Sequence, residues 1–561
     1  MLTRRRFLAL GATVAAWPLA ACRPGASRTD QNVPNGIGGT APGTTPTPAA
    51  SGSASASTAA VVVTAAPTPP APELSGDPFR LGVTSGDPEP DGVVLWTRLA
   101  PDPQAWGAGM ADFVTNGVDF AVAWDVAEDE GFGTLVGSGQ AAAPADAGHS
   151  VHVTVTGLAP NRWYHYRFRI GPWTSRTGRT RTSPAHDDRT TPLVIAAAAC
   201  QHFEHGTFVA QRHLAAEHAD LVLFLGDFMY EDGASGSGVR SHPPDTAVDL
   251  AGYRHRYAWY RADPDLQDAA AAAPWAVIWD DHEVQNNYAA ANSVNDGATE
   301  SFALRRAAAY RAWWENQPTR LPPPTDGVPF SCRRSLRWGG LVHLVLLDGR
   351  SQRSVQVCGG SFGDGAACVE LADPRRTMLG EDQQQWVRQQ FNDDASSDTT
   401  WTVLGNQTAL ADLTVDLGDE VVTLFDQWDG YPKARQRLLQ DSVEAGVANL
   451  VALTGDLHCA MVNDLRLGSG SVGSLGNEIV VSSISSRFAD GRGALFEFGL
   501  GLLDQVAMVD TRRRGYVRVE LHPTLARFAF RHVNDALNPQ GTIATTSTWE
   551  RKAGTTTLRR I

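Results

Sequence analysis

Four continuous apolar runs in this chain stop at side chains that carry chemistry, and that recurrence constrains the fold more than any bulk property. Residues 193–199 run into Cys200. Residues 221–225 stop at Gly226-Asp227, with Tyr230 three residues on. Residues 275–279 stop at Asp280-Asp281-His282-Glu283, and 450–453 at Thr454-Gly455-Asp456-Leu457-His458. Each run is short and bounded, as a buried strand is. Two more runs, 341–347 and 401–404, end at Asp348-Gly349-Arg350 and Gly405-Asn406-Gln407. Between them lie helical patterns at 207–218, 300–316, 381–391 and 433–445. Strands that are apolar throughout need cover on both faces, so strand–helix alternation predicts an α/β fold with helix-covered sheets. Ligands collect at the carboxyl ends of such strands. Thiol, carboxylate, phenol and imidazole delivered to one edge suggest a metal site. Taken singly, each feature has a blander reading: a core cysteine, a common Gly-Asp turn, a hydrogen-bonded histidine. The functional reading rests on their joint occurrence.

The flanking sequence reads as address and support. A length of 561 residues implies two or more domains. Residues 1–22 combine Thr3-Arg4-Arg5-Arg6-Phe7-Leu8 with a modest apolar run, which is an export signal similar to the twin-arginine type. Leu19-Ala20-Ala21-Cys22 resembles a lipobox, which would anchor Cys22 to lipid; the competing reading is a plain signal with Cys22 incidental. The apolar run is too short to be read as a membrane span. Residues 23–73 are an Ala/Ser/Thr/Gly/Pro linker without core-forming material. Residues 74–184 alternate in short runs (119–126, 149–155, 163–170) between Gly and Pro turns, which predicts an all-β sandwich of immunoglobulin or fibronectin type. Residues 190–540 carry the strand–helix alternation. At 514–521 and 525–533 a hairpin is expected, and 541–561 reads as a Thr-rich tail.

The net charge of −14 argues against nucleic acid or anionic lipid as a partner. It does not exclude phosphate esters, because bound cations reverse the local sign. Of six cysteines, Cys358 and Cys368 flank a Gly-rich loop: in an exported protein they form a disulfide, otherwise they are two loop thiols. Cys332 has no assigned role.

Taken together, Cys-Gln at 200–201, Gly-Asp-Phe-Met-Tyr-Glu at 226–231, Trp-Asp-Asp-His-Glu-Val-x-Asn-Asn-Tyr at 279–288, Leu-Asp-x-Arg at 347–350 and Gly-Asp-Leu-His at 455–458 resemble the PhoD-type alkaline phosphatases. These belong to the calcineurin-like metallophosphoesterase superfamily. Gly82-Val83-x-Ser85-Gly86-Asp87-Pro88 and Val93-x-Leu95-Trp96-Thr97-Arg98 resemble the domain that precedes their catalytic domain, so the resemblance runs from about 74 to 532. It implies a metallophosphoesterase sandwich, two mixed sheets flanked by helices, behind the all-β domain. It implies Fe(III) and Ca(II): Cys200 as thiolate and Tyr230 as phenolate on iron, and Asp227 bridging iron and calcium. Asp281, Asp456 and His458 are the further metal ligands, with Asn287 beside them and Asn286 as its competitor. His282 would face the substrate, and Arg350 would contact phosphate unless it serves a salt bridge.

The chemistry of the donors agrees. A phenol of pKa about 10 stays ionised at neutral pH only on a strong Lewis acid, whereas carboxylates suit calcium. Paired cations can clamp a phosphoryl group and activate an attacking oxygen. The expectation is an exported, metal-dependent phosphoesterase at the periplasm or cell surface, acting on small or polymeric mono- or diesters. Its other partners would be the twin-arginine machinery and a membrane met only through Cys22. The alternatives are a phospholipase-D-like phosphodiesterase on lipid or wall polymers, and a non-catalytic envelope binding protein.

Overall fold

The computed structural model describes residues 63–561 apart from 71–73, 75, 102–116, 237, 296, 469, 470, 472 and 490. The export segment 1–22 and most of the linker 23–73 lie outside the described residues. Among the described residues, no helix is long and apolar enough to cross a membrane.

Two large sheets carry the molecule. In one, the parallel strands Leu193–Ala198, Leu221–Phe224 and Pro274–Val277 lie side by side. In the other, Val342–Leu346, Trp401–Asn406, Leu450–Thr454 and Gly476–Val480 are parallel neighbours. The sheets share one apolar core, in which Leu223 and Phe224 join Leu344, Val403 and Leu453. At Gly405 an added Cβ would lie 2.7 Å from Leu346 of the neighbouring strand and only at ordinary contact distance, 3.6 and 3.8 Å, from Leu225 and Leu223 of the other sheet, so the missing side chain makes room for Leu346. Each enclosed Leu, Val or Phe contributes on the order of 1.5–3 kcal/mol.

Helices cover the outer faces and begin where local chemistry says they should. Asp249 caps Leu250–Arg261 by accepting from Gly252 N at 2.8 Å. Asp263 and Pro264 start Pro264–Ala272. Thr299 caps Glu300–Asn316, and Gly446 in the left-handed region ends Pro432–Ala445.

The amino-terminal segment differs from a self-contained module. Its strands Phe120–Ala127, Leu135–Ala143, Trp163–Ile170, Trp173–Thr174 and Gly178–Arg181 form a separate antiparallel sheet. Facing it are Val83–Glu89, Gly92–Arg98 and Ser150–Thr156, and the two layers enclose a core that includes Val93, Leu95, Val122, Val151 and Phe168. That second layer is not independent. Val83–Glu89 pairs in parallel with Pro274–Val277, so three amino-terminal strands complete one edge of a ten-stranded sheet. Gly86 makes this possible: a Cβ there would collide with the carbonyls of Pro318 and Trp275.

Residues 541–561 are not a loose tail. Ile543–Lys552 pairs with Leu525–Val533, and Arg559–Arg560 pairs outside it, completing the opposite edge. A Thr-rich stretch is rich in β-branched residues and suits a pleated surface. Its Arg551 is fully buried and reaches across to Leu450 O at 2.7 Å and Asn477 Oδ1 at 3.1 Å in the other sheet.

Replacing that arginine, Arg551→Ala, leaves buried acceptors without a donor. Chemical denaturation is expected to show a loss of about 1–3 kcal/mol; unchanged stability would mean the last strands are not fastened to the second sheet by this contact.

Candidate metal centre

The carboxyl ends of strands from both sheets meet at one place. Cys200 follows Leu193–Ala198, Asp227 follows Leu221–Phe224, Asp281 and His282 follow Pro274–Val277, and Asp456 and His458 follow Leu450–Thr454. The chain turns sharply as it leaves each strand. Cys200, Asp227, Asn287, Asp456 and His458 all have left-handed φ, between +54° and +61°. Such conformations cost of order 1 kcal/mol or more for a residue with a side chain and gather at functional sites. The turns brace one another: Cys200 N donates to Gly226 O and Gln201 N to Asp227 O, both at 3.1 Å. Gly226 has φ +104°, and a Cβ there would lie 2.5 Å from that of Asp280. Only glycine lets the turns carrying Asp227 and Asp281 pack this closely.

Donor atoms fall into overlapping groups. Those of Cys200, Asp227 and His458 lie within 4.8 Å of one another, as do those of Asp227, Asp281 and His282 and those of Asp280, Asp281 and Asp456. Asp227 belongs to two of the three. The Tyr230 hydroxyl lies 2.8 Å from Asp227 Oδ2, 2.9 Å from His458 Nε2 and 2.7 Å from Ser486 Oγ. Ser486 in turn donates to Cys200 O at 2.8 Å. His458 Nδ1 donates to Arg487 O at 3.0 Å, which orients the ring and turns Nε2 toward this group.

On the acidic side, one end of the Asn287 carboxamide lies 3.0 Å from Asp281 Oδ2 and 3.1 Å from Asp426 Oδ2. Asn286 is exposed and contributes a backbone N–H to Glu231 Oε1 at 2.7 Å. Of the two asparagines, Asn287 is the one whose side chain faces the carboxylates. Arg350 is fully buried. It donates to Asp280, to Asp426 Oδ2 at 2.7 Å and to Asp456 Oδ1 at 2.8 Å, with Asp281 Oδ1 3.6 Å away. Its nitrogens are committed to carboxylates, so the geometry answers to the salt-bridge alternative rather than to the expected phosphate contact.

The charge balance is lopsided. Asp227, Glu231, Asp280, Asp281, Glu283 and Asp426 are buried with Asp456 beside them, faced by the guanidiniums of Arg350 and Arg353. Burial, with Asp227 and Asp456 nearby, raises Asp281 to about 6. Burial and Asp227 raise Glu283 to about 8 even though it accepts the N–H groups of Asp227, Phe228 and Asp280. The Cys200 thiol and Tyr230 phenol are pushed well up by burial first and by Asp227 next. Asp227 behaves oppositely: burial disfavours its charge, but His282 and His458 outweigh that and hold it below the usual carboxylate range. Asp227 Oδ1 and Asp280 Oδ2 are buried without a hydrogen-bond partner. Orphaned carboxylate oxygens amid excess negative charge fit bound cations. The donors also sort by type, with thiol and phenol at one end and hard oxygens at the other.

Several contributors escaped the sequence reading. Glu231 Oε2 holds His282 Nδ1 at 2.7 Å. Glu283 gathers three turn amides. Both stand inside motifs already noticed, so their carboxyl groups were there to be weighed. Asp426 and Ser486 sit on loops with no periodic signal. His202 lies against Tyr230 with ring centroids 4.4 Å apart and stacks on His205 at 3.7 Å. Cys358 and Cys368 are disulfide-bonded, whereas Cys200, Cys332 and Cys459 are free and buried.

Comparison with known proteins finds similar chains along most of the sequence. The family described as PhoD-like phosphatase matches residues 195–530, and the PhoD-like phosphatase N-terminal domain matches 64–184. Alkaline phosphatase D of Bacillus subtilis (strain 168) is 37% identical over 504 residues, covering 88% of this chain and 84% of that protein. A solved structure described as "Structure of PhoD" superposes with a TM-score of 0.81 at 36% identity, covering 88% of this chain and 93% of the other.

Removing the buried guanidinium by Arg350→Met strands Asp280, Asp426 and Asp456. Urea unfolding of chelator-treated protein is expected to register a loss of about 3–5 kcal/mol. Gly226→Ala is expected to cost at least about 2 kcal/mol, because strained φ and a collision coincide.

Proposed function

The chain belongs to the PhoD-like phosphatase family, and from that premise we propose that it is an exported, metal-dependent hydrolase of phosphate monoesters, with diesters as its second substrate class. It is a phosphoric ester hydrolase, so the non-catalytic binding reading falls away. The observation that carries metal dependence is Asp227. Its Oδ2 meets Tyr230, its Oδ1 is buried without a partner, and the same carboxylate joins two donor groups.

Cys200, Asp227, Tyr230 and His458 would hold Fe(III). Asp281, Asn287 and Asp456, with Asp227, would hold Ca(II). Thiol and phenol support iron, and the oxygen-only remainder supports calcium. When bound, such cations supply Lewis-acid stabilisation of a phosphoryl group and acidify water for attack on phosphorus.

The chain's own groups position and protonate. Glu231 takes His282 Nδ1, which orients the ring and leaves Nε2 for the substrate. Burial disfavours a charged imidazole there, but Glu231, Asp227 and Asp281 outweigh it and favour the protonated form. In that orientation His282 Nε2 would donate a proton to the leaving ester oxygen, with Glu231 supporting the charged ring. Arg350 acts as a positioning residue that holds Asp280, Asp426 and Asp456 in register. The leader segment supports transport across a membrane by the twin-arginine route, with Cys22 as a lipid anchor.

Purified protein should contain iron and calcium and show a visible charge-transfer band. Chelation should abolish hydrolysis of p-nitrophenyl phosphate and of its bis-ester, and iron plus calcium should restore it. A colourless enzyme of full activity would overturn the assignment. His282→Ala should lower kcat by about 10²–10⁴-fold with the band unchanged.

A further inference from the structure

We propose that Ser361 is a positioning residue for the calcium end of the site, turning the Asn287 carboxamide oxygen inward when a divalent cation is bound. The inference rests on the reading that Asn287 and Asp281 face such a cation. Ser361 lies on a loop closed by the Cys358–Cys368 disulfide, in the segment that follows the strand end carrying Arg350.

Ser361 grips both partners. Its Oγ is 2.8 Å from the outer end of the Asn287 carboxamide, and its carbonyl accepts from Asp426 N at 3.1 Å. The same loop is tied to the strand leading into Asp426, because Gly363–Asp364 pairs with Val421–Thr423. On the near side, Gln356 Nε2 donates to Asn287 O at 2.7 Å and to Asp426 Oδ1 at 2.6 Å. Backbone and loop are therefore fixed, and the carboxamide has two ways to sit.

With its nitrogen inward, Asn287 donates to Asp281 Oδ2 and Asp426 Oδ2, and its oxygen accepts from Ser361. With its oxygen inward, that oxygen lies within hydrogen-bond distance of two carboxylate oxygens, which is repulsive unless a cation lies among them. The outward amide nitrogen then donates to Ser361 Oγ. A hydroxyl both donates and accepts, so Ser361 can serve either orientation. The two states do not depend on it equally. Nitrogen-inward keeps two charge-assisted bonds without Ser361 and leaves only a carbonyl oxygen short of a donor. Oxygen-inward loses the one protein acceptor of its half-buried amide nitrogen and keeps no other hydrogen bond from the carboxamide to protein. Removing the hydroxyl thus shifts the balance toward the orientation that blocks the cation, and affinity falls by that difference.

The test is calorimetric titration of calcium alone into the iron-loaded, full-length protein. Ser361→Ala should bind calcium roughly 10-fold more weakly, the lower end of what removal of a supporting contact does to metal affinity. Ser361→Thr, which keeps the hydroxyl, should stay near wild type. The visible band should not move in either variant, since the iron end is untouched. Wild-type affinity in Ser361→Ala, alongside weakened binding in Asn287→Ala, would overturn this inference alone. Unchanged binding in both variants would overturn the cation reading beneath it.

Discussion

The centre of this molecule buries more negative charge than its own cations neutralise. Carboxylates are carried there because strands from two sheets end at the same point, and the ends of four of them bring acidic or metal-binding groups. Arg350 and Arg353 meet part of the excess, and the turn amides collected by Glu283 meet another part. The remainder shows itself in acids raised by burial and crowding and in carboxylate oxygens without partners. A protein in this condition is more stable loaded than empty, because cation binding and folding then draw on the same free energy.

That arrangement also explains the backbone. Strand ends point along the sheet, not toward one another, so side chains at successive ends would diverge if the chain simply continued. Left-handed turns at Cys200, Asp227, Asp456 and His458 redirect them inward. Strain of this kind persists only where surroundings over-determine it, and here the turns hydrogen-bond to each other and pack around Gly226 and Gly455. Tyr230 and Ser486 complete the brace, linking the Asp227 turn to the Cys200 carbonyl. Rigid elements thus reach almost every donor, with Asn287 the one whose side chain retains a choice.

Much of this was legible in the residues, and the boundary between legible and hidden follows the range of the interactions. Trp163–Ile170, Glu300–Asn316, Arg514–Leu521 and Leu525–Val533 have the bounds their periodicity suggests, because periodicity is local. Cys200, Asp227, Tyr230, Asp281 and His282 come together because parallel strand ends of one sheet share an edge, and Asp456 and His458 join them from the facing end of the second sheet. Helix Leu250–Arg261 was not foreseen: it buries Arg254, Arg256 and Arg261, whose partners lie elsewhere in the chain, so it shows no clean apolar face. Asp426 and Ser361 meet Asn287 only through long-range folding, and no spacing announces them. The merging of the amino-terminal strands with the central sheet depends on the fit of Gly86 against Trp275, and the closing strand Ile543–Lys552 on pairing with a neighbour already in place. Neither leaves a mark in one segment alone.

The two edges of the ten-stranded sheet have a consequence for how this polypeptide comes into being. One edge is built from residues 83–156 and the other from residues 525–560, with strands from the middle of the chain between them. The strands at residues 83–156 cannot complete their edge until Pro274–Val277 is there to pair with, and Arg551 joins Leu450 across a long stretch of sequence. The sheet therefore closes through pairings far apart in the chain, and such distant pairings make folding slow. Until both edges are in place, the hydrophobic strands at the centre present unpaired hydrogen-bonding edges, the surface through which partly folded chains associate.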